Sequence, residues 1–317
     1  MWTILKLIEW TAGYFAKYGV PNPRLDAELL LSHTLNKKRI ALYLSFEQPV
    51  VEGDLAIFKG YVQRRAKREP LQYIIGSQDF CGVTMQVTPA VLIPRPETEL
   101  LVEETLSLVA RRSSLGKRAT NHESRVTILD LCTGSGCIIA ALANKLPDAH
   151  FTGVDISETA LEIARQNTEK WKDRVELLHG NLFEALSPPP IPPRRWNPFH
   201  LRGGMGGGAF DVIISNPPYV AESDWPTLQP EIRDHEPKEA LIAGEDGLAI
   251  IKDITNNAHR FLKPGGQLII ELGDGQADVV RQLVVNAGHY GKPELVKDYG
   301  GVERIIWTSL SSTAGAN

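Results

Sequence analysis

Val126-Thr-Ile-Leu-Asp-Leu-Cys-Thr-Gly-Ser-Gly-Cys137 is the stretch that decides the fold. Residues 126–131 are short, apolar and rich in β-branched side chains, the composition of a strand buried on both faces. They run into the glycine-containing turn 132–136, and an apolar helix follows over 137–145. From here strand and helix alternate, which predicts a parallel sheet covered by helices on both faces. Residues 151–156 read as a second strand carrying Asp155 at its end, with a following helix capped by Ser157. Residues 175–178 are a third strand, reaching Gly180, Asn181 and Leu182. A fourth over 211–215 ends in Asn216, Pro217, Pro218 and Tyr219. Beyond it the pattern predicts a helix over 246–261, a tight turn at Pro264-Gly-Gly266 into a strand over 267–271, and a helix over 276–287. Residues 295–298 and 304–308 read as a closing antiparallel pair.

Upstream of residue 76 the signals are helical. Trp2, Leu5, Ile8, Ala12 and Phe15 recur at helical spacing and are broken by Lys6 and Glu9, so the first helix is amphipathic and unlike a signal peptide. Further helices are predicted after Pro23 and over 40–45 and 51–67. Residues 78–91 alternate as a hairpin with Gly82 near its turn. The prolines of Ile93-Pro-Arg-Pro-Glu-Thr-Glu99 stiffen a segment in which Arg95, Glu97 and Thr98 are polar groups suited to line a site. A helix over 96–112 and a solvated linker over 113–124 follow. The predicted organisation is a helical substrate-recognition domain at 1–76, a β-hairpin linker at 77–95 and an α/β domain at 96–317. A Pro/Gly-rich insertion at about 187–208 offers little to pack and is expected to be poorly ordered and remote from the site.

Composition narrows the function classes. The 317 residues carry a net charge of -4, which argues against a protein held to nucleic acid by phosphate contacts. The charge is uneven: residues 1–94 hold 11 Lys+Arg against 8 Asp+Glu, leaving an acidic remainder. The run Arg64, Arg65, Lys67 and Arg68 reads as a solvated helix face. Cys81, Cys132 and Cys137 have neither a zinc spacing nor a disulfide pattern, which fits a reducing, cytoplasmic compartment. No apolar run approaches the ~20 residues that span a bilayer, so no membrane partner is expected.

The chemistry gathers at one edge. In an open α/β sheet the ligand lies beyond the carboxyl ends of the strands, near the point where strand order reverses. Gly134, Gly136, Asp155, Asn181 and Asn216 all fall at such ends. The two glycines let the backbone pass close under a ligand, and the carboxylate of Asp155, about 20 residues on, can accept both hydroxyls of a ribose. Such a loop and acid fit a dinucleotide or S-adenosylmethionine. The loop is Gly-Ser-Gly, without the third glycine that admits a pyrophosphate, and this favours S-adenosylmethionine. At the fourth strand, Pro217 and Pro218 lack N–H groups and have fixed φ. The tip therefore offers acceptors, the Asn216 side-chain oxygen and nearby carbonyls, to a planar NH2 group.

The segments Asp-Leu-Cys-Thr-Gly-Ser-Gly, Val-Asp-Ile-Ser, Ser-Asn-Pro-Pro-Tyr, Ile-Pro-Arg-Pro-Glu-Thr-Glu and Glu69-Pro-Leu-Gln-Tyr-Ile-Ile-Gly76 together resemble the HemK/PrmC family of peptide chain release factor glutamine N5-methyltransferases. The resemblance runs from the helical domain to Asp298-Tyr-Gly-Gly-Val-Glu-Arg304. It implies a Rossmann-like methyltransferase sheet with a small N-terminal helical domain. It further implies methyl transfer from S-adenosylmethionine to the glutamine amide of a release factor's Gly-Gly-Gln loop. Carried over, Cys132, Thr133, Gly134, Ser135 and Gly136 wrap the methionine part of the donor, Asp155 meets the ribose, and Asn181 with Leu182 meets the adenine. Asn216, Pro217, Pro218 and Tyr219 hold the glutamine amide; Asn216 and the Pro217 carbonyl take its N–H bonds, Tyr219 packs on its face, and Asn216 also borders the donor. Neither a metal nor a general base is called for, and His235 and Glu236 are read as structural. Cys132 stands where the family usually has glycine, and Asn181 where an acidic residue is common. A monomer is expected. The tip is shared with enzymes that methylate the adenine amino group, an alternative opposed by the acidic catalytic half. A non-catalytic donor-binding adaptor is opposed by the intact tip.

Overall fold

In the computed structural model, which describes residues 1–114, 125–186 and 210–311, the chain divides into two compact units. In chain order the helices and strands are α1 (Ile4–Lys17), α2 (Pro23–Thr34), α3 (Arg39–Tyr43), α4 (Glu52–Ala66), α5 (Leu71–Ile75), β1 (Ser77–Phe80), β2 (Val83–Gln86), α6 (Pro96–Ser114), β3 (Thr127–Leu131), α7 (Cys137–Lys145), β4 (His150–Asp155) and α8 (Glu158–Thr168). They continue as β5 (Val175–His179), β6 (Phe210–Ser215), α9 (Pro230–Arg233), α10 (Ala249–Asn257), β7 (Leu262–Glu271), α11 (Ala277–Ala287), β8 (Glu294–Lys297) and β9 (Glu303–Ser309).

One unit comprises Met1–Ser77, Val87–Pro89 and Thr227–Glu236, so a segment from far downstream joins the N-terminal helices. α1 begins where the Thr3 hydroxyl accepts the Lys6 N–H, and it buries Ile4, Leu7, Ile8, Thr11 and Phe15, a single stripe at helical spacing. Pro23 opens α2 at a position whose N–H would be unpaired in any case. These faces meet in a core that includes Leu30, Leu31, Leu42, Phe58 and Val62. The basic run keeps the expected solvated face at Arg64 and Lys67, which are exposed, and departs from it at Arg65 and Arg68. Arg65 is only 5% exposed; its Nε lies 2.7 Å from Asp26 Oδ2 and its Nη2 3.0 Å from Glu231 Oε1. Arg68 reaches Glu231 Oε2 at 2.5 Å, and Arg64 pairs with Glu69. The partners of Arg65 and Arg68 arrive from α2 and α9, so these two cations serve the interior of this unit. Burial raises the Asp26 carboxyl above its ordinary value despite Arg65. Burial also works to raise Glu231, but Arg68 and Arg65 hold it below its ordinary value.

The other unit comprises Gln78–Gln86, Ala90–Pro226 and Pro237–Asn317. Cys81 and Gly82 both adopt positive φ, 48° and 77°, at the two-residue turn between β1 and β2, as a tight hairpin requires. The main sheet has the order β5-β4-β3-β6-β7-β9-β8, parallel from β5 to β7, with β9 antiparallel to both its neighbours. Successive residues along each central strand feed opposite faces. Ile128, Val212, Ile214 and Ile269 pack with α6 and α7, whereas Leu129, Ile213, Leu268 and Ile270 pack with α10 and α11.

Two expectations are corrected in this unit. Pro264-Gly-Gly266 is no turn before a strand. β7 starts at Leu262, pairs Phe210 with Leu262 and then Val212 with Gln267, and carries the Pro-Gly-Gly as a bulge. The helix expected from residue 246 starts at Ala249 and ends at Asn257, with a turn of 3-10 helix after it. Asp246 Oδ1 accepts the Leu248 N–H, and Gly247 between them has φ 70°, which breaks the helical path. Of the linker expected over 113–124, Ser113 and Ser114 close α6; the rest of it and the insertion at 187–208 lie outside the described residues.

Candidate active site

The chain runs outward from β3 through β4 to β5, then crosses back to β6 on the other side of β3. The switch point therefore lies between β3 and β6. Leu131 pairs with Ser215 and with Val154, so Cys132, Asn216 and Asp155 leave the sheet side by side at its carboxyl edge. Asp155 pairs with His179, which brings Gly180 and Asn181 to the same edge. A cavity of about 270 Å³ opens there, lined among others by Cys132, Gly134, Asp155, Asn181, Leu182 and Asn216.

Asp155 is aimed by the backbone around it. Gly134 N–H donates to one carboxylate oxygen at 2.8 Å and Ser157 N–H to the other at 2.9 Å. Each oxygen keeps acceptor capacity for a further donor. Burial raises this carboxyl above its ordinary value, against the pull of the backbone donors. Gly134 has φ 54° and its virtual Cβ meets no atom closer than 4.0 Å, so its face toward the cavity is bare backbone. Behind the loop, fully buried Asp130 accepts from the Thr133 hydroxyl at 2.6 Å, while its Oδ1 has no partner among the described residues. Burial pushes that carboxyl to about 7. Bare backbone and a fixed ribose-type carboxylate fit a nucleoside donor.

The other sequence-predicted residues divide. Thr133 and Ser135 are buried and away from the cavity lining; Thr133 braces Asp130, and the Ser135 carbonyl accepts from Asn167. Gly136 is set by packing, since a Cβ there would come within 3.2 Å of Ala164 Cβ. Cys132 sits at φ 60°, a left-handed conformation that explains why glycine suits this position. Burial, with Asp155 and Asp130 nearby, keeps its thiol protonated. Leu182 is likewise left-handed, at φ 45°, and Asn181 is exposed.

At the tip, Asn216 and Pro218 line the cavity and Pro217 is buried. Asn216 Nδ2 donates to the Thr98 hydroxyl at 3.0 Å, leaving its oxygen unengaged by that contact. The Tyr219 carbonyl accepts from Gln276 Nε2 at 3.0 Å, and its ring lies over Gly273, where a Cβ would approach Cδ2 to 3.0 Å. Burial, then Glu271, push the Tyr219 phenol up to about 12, so it stays neutral. Sequence reasoning missed Ile156, an apolar residue 61% exposed that lines the cavity immediately after Asp155. It also missed Glu271, 2% exposed at the end of β7. An acid closing an apolar strand beside the tip was the available signal.

This sheet order with this site defines the class: an S-adenosylmethionine-dependent methyltransferase of Rossmann-like fold. Comparison with known proteins agrees. Residues 122–298 match a family model described as a methyltransferase domain, and residues 6–76 match one described as the PrmC N-terminal domain. The release factor glutamine methyltransferase of Geobacter sulfurreducens is 42% identical over 306 residues, covering 96% of each chain. That of Rhodopirellula baltica is 40% identical, over 96% of this chain and 95% of its own. In fold, the chain resembles the crystal structure of the hMettl16 catalytic domain in complex with MAT2A 3'UTR hairpin 6, with a TM-score of 0.50, 13% identity and 84% of each chain covered. The chain belongs to the release factor glutamine methyltransferase family.

Proposed function

We infer that the protein transfers a methyl group from S-adenosylmethionine to the side-chain amide nitrogen, N5, of the glutamine in the Gly-Gly-Gln loop of peptide chain release factors. The observation that carries the reading is the adjacency of Asn216 to the cavity that Gly134 and Asp155 line, on neighbouring strand ends. Full-length similarity to enzymes named for this reaction supports it.

In this reading Gly134 and Cys132 pass under the methionine part of the donor, with Asp130 behind them, and Asp155 accepts the ribose hydroxyls. Ile156, Asn181 and Leu182 border the adenine. The bound donor supplies an electrophilic methyl group on a sulfonium. The acceptor is difficult, because an amide nitrogen shares its lone pair with its carbonyl. Asn216 Oδ1 and the Pro217 carbonyl accept its two N–H bonds, which enriches the nitrogen and fixes its direction. Pro218 and the Tyr219 ring confine the flat amide. As the N–C bond forms the sulfur–methyl bond breaks, the sulfonium leaves as the neutral thioether S-adenosylhomocysteine, and one N–H proton passes to solvent. Orientation and preorganised dipoles of this kind each supply several kcal/mol in enzymes generally.

Residues 1–76 recognise the folded substrate, since a tip that holds one amide cannot tell one glutamine from another. The protein acts as a cytoplasmic monomer without a direct nucleic-acid partner; three free cysteines support the compartment and an acidic net charge the lack of a nucleic-acid partner. The test is mass spectrometry of purified release factor incubated with the enzyme and labelled donor. One methyl group on the Gly-Gly-Gln glutamine is the predicted result. An unlabelled release factor, or label transferred to adenine in DNA instead, contradicts the reading.

A further inference from the structure

An asparagine amide is nearly symmetric in shape and opposite in polarity at its two ends. For Asn216 to accept from a substrate NH2, its oxygen must face the cavity; the reversed rotamer presents a donor to a donor. Something must set that choice. Its Nδ2 donates to Thr98 Oγ1 at 3.0 Å. Thr98 is 1% exposed, in the first turn of α6, where the Pro-Arg-Pro-Glu-Thr-Glu segment enters the helix. A threonine hydroxyl has one proton, so it accepts reliably from Asn216 only if that proton is committed elsewhere. The Glu271 carboxyl, 2% exposed and one residue beyond the Ser215–Ile270 pair, is level with Asn216 on the neighbouring strand and close enough to the Thr98 side chain for that hydroxyl to favour its charged form. The other Glu271 oxygen, Oε2, has no partner among the described residues.

We propose that Glu271 and Thr98 are positioning residues that fix the polarity of the Asn216 amide, so that its oxygen always faces the methyl acceptor. Ionised Glu271 can only accept, which commits the Thr98 proton to it and the Thr98 oxygen to Asn216 Nδ2. Protonated Glu271 can donate to Thr98, freeing the hydroxyl proton to point at Asn216 and releasing the reversed rotamer. The charged and titratable groups that face Glu271 are Arg95 before α6 and Glu97 within it, Cys137 at the start of α7, Arg304 on β9, and Tyr219 at the tip. Burial first, then Glu97, push the Glu271 carboxyl up to about 7, against Thr98, Arg304 and Arg95. Turnover therefore rises as pH climbs through that range, while donor binding, which depends on Asp155, does not share the limb.

The proposal rests on the glutamine methyltransferase reading, and the parental enzyme separates the two. If the parental enzyme leaves release factor unmethylated, that reading fails; if it methylates and the variants behave like it, the relay fails. Single-turnover methylation of release factor, donor affinity by calorimetry and thermal unfolding are measured for Thr98→Val, Thr98→Ser and Glu271→Gln. Thr98→Val is predicted to slow transfer about tenfold, the scale of one lost hydrogen bond to a reacting array, with donor affinity and KM changed less than about threefold. Thr98→Ser restores the rate, and Glu271→Gln removes the rising limb of the kcat profile near pH 7. Transfer by Thr98→Val at the parental rate, or an unchanged pH profile in Glu271→Gln, overturns the proposal. So does a Thr98→Ser enzyme that stays as slow as Thr98→Val while melting at the parental temperature.

Discussion

At the scale of single residues, Cys132 shows how a departure from family habit becomes physical. Its φ of 60° costs an L-residue about 1 kcal/mol or more, whereas glycine there avoids the strain but loses roughly 0.5–1 kcal/mol of unfolded-state entropy. The two terms nearly cancel, so Cys132→Gly is predicted to leave the melting temperature within a few degrees of the parent and donor affinity unaltered. Cys132→Val adds β-branching to the same conformation and melts clearly lower. A Cys132→Gly protein that loses donor binding instead shows that the thiol itself touches the donor. The sequence made Gly134, Asp155 and Asn216 legible, because each follows an apolar strand at an interval that places it on one sheet edge. It did not make legible the different duties of neighbours within the loop. Gly136 meets Ala164 and Thr133 meets Asp130, and contacts of that kind depend on packing that a linear motif does not encode.

At the scale of elements, the tip is held from behind by the loop that enters α10 and by the turn after β7. Gly247 has φ 70°, and a Cβ there would drive into the Tyr219 carbonyl oxygen, which Gln276 already holds. Gly247→Ala is therefore predicted to displace Tyr219 and lower kcat by about tenfold or more, a consequence of misplacing an orienting group. Gly265 is the control, with φ 69° but nothing within 4 Å of a Cβ. Gly265→Ala carries only the backbone strain, about 1 kcal/mol, and keeps its turnover. Equal kcat values for the two variants remove Gly247 from the support of the tip. The alternation of strand and helix was readable from composition, but the bulge in β7 was not. Pro-Gly-Gly has the chemistry of a turn, and only pairing of Leu262 with Phe210 ahead of it shows that the strand had begun.

At the scale of the whole molecule, the pairing least visible in the sequence joins Arg65 and Arg68 to Glu231, more than 160 residues away. A local reading sees a charge run; the fold buries Arg65, half-buries Arg68 and supplies their carboxylates from two other segments. Exposed helix pairs contribute a few tenths of a kcal/mol, but removing one partner of a buried pair costs about 3 kcal/mol or more. Glu231→Ala is predicted to destabilise the N-terminal unit by that larger amount, read by denaturant unfolding through Trp2 and Trp10; a loss below about 0.5 kcal/mol assigns the pair to the solvated class. In the proposed mechanism one sheet edge holds donor and acceptor separately, Asp155 serving the first and Asn216 the second. Calorimetry for S-adenosylmethionine beside single-turnover methylation of release factor, on Asp155→Ala and Asn216→Ala, tests it directly. Asp155→Ala is predicted to weaken donor binding by ~1–3 kcal/mol, the loss of charged hydrogen bonds. Asn216→Ala is predicted to hold donor affinity within about threefold while transfer falls about 100-fold, the scale of one removed catalytic dipole. An Asn216→Ala enzyme that methylates release factor at the parental rate contradicts the account.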